Sequence, residues 1–366
     1  MSILYDEAQE AIAVEAKRVL ETRYDQNCLL SLLETQNAYD ESFWNTCQEQ
    51  GWTGVTVSEA YGGLDLSLVE MGIIAEACGR FTVGAPFLSS GFAVSAALSD
   101  FGSESVKEAW LPKIAAGEAI GCLGVSETGA TIPSNSGLQV TGSRVSGFKP
   151  AVPAGGHAHI MVAITQEAGE PSLGVIDLSQ AGVTRTAINT FDNSRCAADF
   201  TFSDVQIETL LKGDAAIKAA RNILAKLAVI TAHEQTGGAQ ALLDATRDYA
   251  LERKAFGQVI GAFQSVKHRI AEMYALVELA RANALHAASL EGQAGFEAAA
   301  GAARLSATDA YDTAARDAIQ VHGGIGVTWE GGLHLHQRRA RSLAIEGGPS
   351  SFWEDCLVDR ILEGAA

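Results

Sequence analysis

The 366 residues hold no long run of lysine or arginine, and acidic side chains outnumber basic ones 44 to 26, giving a formal net charge of -18. Proteins that grip a phosphate backbone gather cations on one face, so nucleic acid is excluded as a partner. Cysteine is scarce too: Cys28, Cys47, Cys78, Cys122, Cys196 and Cys356 are scattered, with no C-x-x-C pair and no cysteine–histidine grouping at ligand spacing. That usage suits reduced thiols in a cytosol and predicts no metal site. No apolar stretch reaches the length of a bilayer span. The opening "MSILYDEAQEAIAVEAKRVL" threads acids through a helical pattern instead of following a basic start with an apolar run, which predicts no secretory signal and a cytoplasmic protein.

What remains is globular: 47% apolar and 19% charged residues, enough for a large core. Residues 1–118 carry apolar side chains at three- and four-residue spacing, as in "ESFWNTCQEQGW" and "LSLVEMGIIAEACGRF". From 119 to 208 the pattern shifts to short alternating runs, among them "LQVTGSRVSG", "HIMVAI", "SLGVIDL" and "ADFTFSDVQI", punctuated by Gly, Pro, Asn and Asp. Residues 209–366 return to a 3.6-residue period in long Ala-rich segments, at 213–251, 263–291 and 294–321. The spacing predicts an α+β chain: an N-terminal helical domain, a β domain, and a C-terminal helical bundle whose small residues permit close helix packing.

Two stretches carry chemistry. In "ALERKAFGQVIGAFQSVKHRIAEM" a helix bearing Arg253 runs into a Gly-containing turn, and a second helix opens near Phe263-Gln264. A guanidinium beside a helix start and free backbone amides suits an anion; an ordinary helix hairpin has the same pattern. In "AIQVHGGIGVTWEGGLHLHQRRAR" Gly323, Gly324 and Gly326 follow a helix, where bare backbone lets a ligand come close or simply turns the chain. The glycines are not spaced G-x-G-x-x-G after a strand, so no Rossmann site is implied. His334 and His336, two apart, face different ways on a helix and would not share a metal.

Together these stretches resemble the acyl-CoA dehydrogenase family. The pattern R-K-x-F-G-x-x-I-x-x-F-Q-x-x-x-H is met by Arg253, Lys254, Phe256, Gly257, Ile260, Phe263, Gln264 and His268, and Q-x-H-G-G-x-G by Gln320, His322, Gly323, Gly324 and Gly326. "VSEAYGGLDLSLVEMGIIAEACGR" is similar to the family's P-E-x-x-G-G-x-G segment, with Ser58 where proline is usual and Asp65 where the last glycine is usual. The resemblance spans the chain and implies the family's fold, with a β-barrel or sandwich in the middle. It further implies an FAD enzyme that removes two hydrogens across the α,β carbons of an acyl-CoA thioester and passes electrons to an electron-transfer flavoprotein. By the same resemblance Arg253, Phe256, Phe263 and Gln264 serve the diphosphate and adenine end, Gln320 and the amides at Gly323 and Gly324 close over it, and the assembly is a dimer of dimers.

The chain departs from the family pattern at the flavin ring. "GVSETGATIPSNSG" keeps Ser126, Glu127 and Gly129 of the T-E-P-G-x-G-S segment, so Ser126 would offer its hydroxyl. Where the family has a Trp and a Thr on a strand, this chain has Ala151 and Pro153, leaving the backbone amides of Val152 and Ala154 as donors. The reaction needs a carboxylate base in a dry pocket. Counting from Arg338-Arg339, Gly347 falls at the family's glutamate position and Glu346 one residue before it; Glu346 is either that base or a helix-end carboxylate. The other position used in the family falls near Ala228, with no carboxylate until Glu234. Two functions therefore stand: an acyl-CoA dehydrogenase with Glu346 as base, or a weakly catalytic partner subunit of a heteromeric dehydrogenase acting on a bulky or steroid CoA thioester. An oxidase or flavin monooxygenase shares the fold and differs in the oxygen reactivity of the reduced flavin.

Overall fold

The computed structural model describes residues 5–83 and 86–365, so the first four residues of the opening helical pattern fall outside it. The elements follow one another as α1 (Glu7–Arg23), α2 (Gln26–Glu34), α3 (Glu41–Glu49), α4 (Leu68–Arg80), α5 (Pro86–Phe101) and α6 (Glu104–Ala115). Strands β1 (Gly121–Gly124), β2 (Leu138–Thr141), β3 (Arg144–Val152), β4 (Ile160–Glu167), β5 (Glu170–Asp177), β6 (Val183–Ala187), β7 (Ala198–Gln206) and β8 (Glu208–Lys212) come next. Then follow α7 (Asp214–Glu252), the short pair β9 (Lys254–Ala255) and β10 (Gln258–Val259), α8 (Gln264–Ser289), α9 (Phe296–His322), α10 (Leu333–Leu343) and α11 (Ser350–Ala365). No helix among the described residues is long and apolar enough to cross a membrane.

Local chemistry sets the helix starts. Asp6 and Gln9 close a reciprocal capping box on α1, Asp40 caps α3 through the Phe43 amide, and Ser103 caps α6 through the Val106 amide. The eight strands form one mixed sheet in the order β6-β7-β3-β2-β4-β5-β8, with β1 also on β4; β1 and β2 run parallel to β4 and the other pairs are antiparallel. Alternation puts Leu138, Val140, Val145, Met161, Ile176, Phe200 and Phe202 into one buried cluster on this sheet.

The chain divides into two compact units. One comprises the described parts of Met1–Leu30, Gly72–Val83 and Ala228–Ala366; the other comprises Ser31–Met71 and the described part of Gly84–Leu227, and so holds the whole sheet. In the first unit glycine decides how closely α4 and α7 cross. A Cβ built on Gly79 would lie 1.9 Å from the Glu234 carbonyl oxygen, and one on Gly237 would lie 1.9 Å from the Glu76 carbonyl oxygen. A Cβ on the neighbouring Gly238 would stand 2.4 Å from the Tyr311 ring of α9. The helices meet backbone to backbone, as the small residues of the C-terminal segments predict.

Candidate functional site

At the end of α7 the chain makes a tight hairpin in which Gln258 pairs with Ala255 and Val259 with Lys254. Its two turn residues, Phe256 and Gly257, both have positive φ, 52° and 82°. Glycine adopts that conformation freely, whereas a bulky aromatic does so only under strain. Phe256 is nevertheless 95% exposed, meeting Phe263 edge-on with ring centroids 6.1 Å apart. Arg253 is exposed beside it and its carbonyl accepts from the Ile260 amide at 2.7 Å; Phe263 and Gln264 open α8.

Tyr249 brings a second element to this hairpin. Its ring stacks on His322 at the end of α9, centroids 4.3 Å apart, so the Arg253 hairpin and the turn Gly323–Val327 lie side by side in one unit. Gln320, Gly323 and Gly324 are exposed, and a Cβ built on Gly257, Gly323 or Gly324 meets nothing within 4 Å. Seven of the residues singled out in the sequence (Arg253, Phe256, Phe263, Gln264, Gln320, Gly323 and Gly324) are thus gathered on the surface formed by the meeting ends of α7, α8 and α9. Cation, aromatic faces and bare backbone together are the chemistry that a phosphorylated, ring-bearing ligand requires.

Glu346 sits partly buried in the turn that follows α10, ahead of Gly347 at φ 70° and Gly348 at φ 114°. Its amide donates to Ser342 O at 3.1 Å, and its carbonyl accepts from Arg304 Nη2 at 3.0 Å. Glu234 of α7 is differently placed: Arg339 Nη1 donates to its carboxylate at 2.9 Å, with both side chains buried. Ala228, the other family position, is buried within α7. His336 lies 2.9 Å from the Tyr311 hydroxyl, and burial together with Arg339 and Arg80 pushes its pKa down to about 3. His334 stacks instead on Trp329, and no metal-ligating cluster occurs among the described residues.

In the other unit Ser126 is exposed at the start of a loop anchored by Glu127. The Glu127 carboxylate accepts from Ser136 Oγ at 2.7 Å, from the Gly137 amide at 3.0 Å, and from the wholly buried Lys149 ammonium. Burial raises its pKa, but these donors outweigh it and hold the carboxyl below its usual range; burial pulls Lys149 down in turn, only partly offset by Glu127. Past Lys149 the strand bulges, Ala151 takes φ 48° and its amide goes to Asp199 Oδ1 at 2.7 Å. Val152 pairs with Ala198, while the Ala154 amide donates to Arg195 O at 3.0 Å and is therefore engaged within the chain. Three features had no signature in the sequence: the Arg304 contacts, the Glu234–Arg339 pair and the Glu127–Lys149 pair. Each joins segments far apart in the chain, so no local spacing reports them.

Residues 6–118 match the family model for the acyl-CoA dehydrogenase N-terminal domain, and residues 216–362 that for the C-terminal domain. The chain is 30% identical over 316 residues to acyl-CoA dehydrogenase IpdE2 of Mycobacterium tuberculosis, covering 85% of this chain and 84% of that protein. Among solved structures it is similar to butyryl-CoA dehydrogenase from Megasphaera elsdenii, with TM-score 0.90, 22% identity, and coverage of 99% and 100%. It is similar also to the ChsE4-ChsE5 complex from Mycobacterium tuberculosis, with TM-score 0.89, 20% identity, and coverage of 99% of each chain. At these identities the two structures speak to the fold.

Proposed function

This chain belongs to the acyl-CoA dehydrogenase family, its general reaction is acyl-CoA dehydrogenation, and from that premise we propose that it is an FAD enzyme with Glu346 as the base and an electron-transfer flavoprotein as acceptor. The observation that carries the reading is the surface shared by Arg253, Phe256, Phe263, Gln320, Gly323 and Gly324. An exposed guanidinium fits a diphosphate, the exposed Phe256 ring edge-on to the half-buried Phe263 fits an adenine, and glycine backbone facing open space lets both approach. FAD, when bound, supplies the acceptor for the hydride leaving the substrate β-carbon.

The chain's own part is the proton. An α-hydrogen next to a thioester is weakly acidic, so the base must be a carboxylate fixed within reach and shielded from water. Glu346 fits this role because it is partly buried on a defined turn, whereas the Glu234 carboxylate is already committed to Arg339. In the Glu346→Gln protein FAD stays bound, while anaerobic bleaching of the flavin band by the best substrate of an acyl-CoA panel slows by about 10² to 10⁴. Bleaching at the wild-type rate would remove Glu346 from the role.

One observation favours a second reading. The Ala154 amide goes to Arg195 O and is spent within the chain, and Ala151 and Pro153 supply no aromatic cover for a flavin ring. On this reading the chain lends its Arg253 surface to a partner subunit that holds the ring, in a heteromer acting on a bulky CoA thioester. Flavin stoichiometry separates the two: one FAD per chain for protein expressed alone supports the first, and FAD only on co-expression with a second subunit supports the other.

A further inference from the structure

We propose that Arg304 is a positioning residue for Glu346, a buried guanidinium that fixes the turn carrying it; this rests on the reading of Glu346 as the base. Where α10 ends at Leu343, backbone amides just beyond it take the Ala340 and Ser342 carbonyls, while the Leu343 carbonyl is past the reach of the intrahelical ladder. Helices commonly solve this with a glycine just past the end, but here the first positive-φ residue is Gly347. The carbonyls of Leu343 and Glu346 are taken instead by Arg304 Nη2, which reaches across from α9. Its other edge is held in turn: Nη1 donates to Gln235 Oε1 of α7 at 2.6 Å and to Thr308 Oγ1 at 2.9 Å. The guanidinium therefore ties α7 and α9 to the residues flanking and including Glu346.

Such an arrangement is not the most stable way to fill the space. Arg304 is 1% exposed, and burial pushes its pKa down to about 10, with Glu346 and Glu234 acting against the shift, so it is cationic at neutral pH. Burying a cation costs several kcal/mol, and the four contacts just named are all to neutral oxygens. An apolar side chain of equal volume would avoid that cost but withdraw this donor from both carbonyls and leave the turn to its own backbone bonds, among them that from the Glu346 amide to Ser342 O. On the far side of Glu346, Gly347 and Gly348 offer the backbone the greatest freedom any residue allows. A base misplaced by about 1 Å loses on the order of a hundredfold in rate. The fixed side of the turn is Arg304's.

The experiment compares Arg304→Met, Arg304→Lys and Thr308→Val, with Glu346→Gln as the reference, all as FAD-bound protein with whatever partner subunit it is isolated with. The probe is octanoyl-CoA, or the member of an acyl-CoA panel that bleaches wild type fastest. Arg304→Met should slow flavin reduction about 10- to 100-fold while FAD content and probe affinity stay within about twofold, since uniform binding is untouched. Arg304→Lys, which keeps the charge and can still meet one carbonyl, should recover much of the rate. Hydrogen exchange at amides 342–348 should quicken in Arg304→Met, with the 216–250 stretch of α7 unchanged. Wild-type reduction and exchange in Arg304→Met overturn the proposal, and so does a loss of probe binding equal to the loss of rate. If Arg304→Met yields no folded protein, Arg304→Lys and Thr308→Val decide: slowed reduction with intact binding in either supports the proposal, and wild-type rates in both overturn it. Glu346→Gln that still reduces its flavin at the wild-type rate would instead remove the base reading on which the proposal stands.

Discussion

Arg339 and Glu234 face one another as a buried ion pair, 2.9 Å from Nη1 to Oε1, and Arg339 also donates to the carbonyls of Val83 at 3.0 Å and Thr82 at 3.2 Å. The pair fastens α10 to α7 and to the segment that follows α4. Removing one member strands the other charge away from water, at a cost of about 3 to 5 kcal/mol. Glu234→Gln and Arg339→Met should each destabilise by that order, measured by urea unfolding. The double variant Glu234→Leu/Arg339→Met should be closer to wild type than the sum of two such losses, because no buried charge is left unpaired.

Arg253 is exposed, and among the described residues its bonds are those of its backbone in the hairpin, so its side chain has little to do for folding. Arg253→Ala should leave the melting temperature of the apoprotein within a degree or two. If the guanidinium meets a diphosphate, FAD affinity should fall by about 1.5 to 3 kcal/mol, the usual worth of a charge-assisted contact. Dialysis followed by the flavin absorbance reads the difference, and unchanged retention would remove Arg253 from the cofactor surface.

His336 makes stability depend on pH. Its folded pKa is about 3 against an ordinary 6.5, so between these values the folded state holds fewer protons than the unfolded one. Stability therefore rises with pH through this window; it is fully present above 6.5 and is lost as pH falls towards 3. At pH 5 the loss is up to about 2 kcal/mol. Thermal unfolding at pH 7.5 and pH 5.0 should show a smaller decline for His336→Gln than for wild type, and equal declines would mean that the imidazole protonates in the folded state.

Much of the frame was legible because it repeats. The segments read as 213–251, 263–291 and 294–321 are α7, α8 and α9 to within a few residues, and the alternating runs became β2 to β7. Strand β1, "GCLG", escaped because it is buried on nearly every residue and does not alternate. The hairpin with Arg253 and the turn with Gly323 were visible as dense local patterns. Arg304, Glu234 and Arg339 were not. Each is one charged residue among several polar ones in its helix, some buried and some exposed, and only the packing of α7, α9 and α10 decides that these three face inward. The Ala154 amide is a similar case, since its partner Arg195 comes from a distant turn.

The glycines divide into two kinds that a mutational scan would tell apart. At Gly79 and Gly237 even one methyl group would overlap a carbonyl oxygen of the opposing helix, so alanine there should abolish accumulation of soluble protein whatever the selection applied. At Gly324 the added methyl group would stand in open space, so alanine should be silent in an abundance screen. The same allele should be lost when selection is for flavin occupancy, if backbone at this turn must lie against the cofactor. Scored both ways, the two populations of glycine alleles would draw the outline of the cofactor surface without a ligand-bound structure.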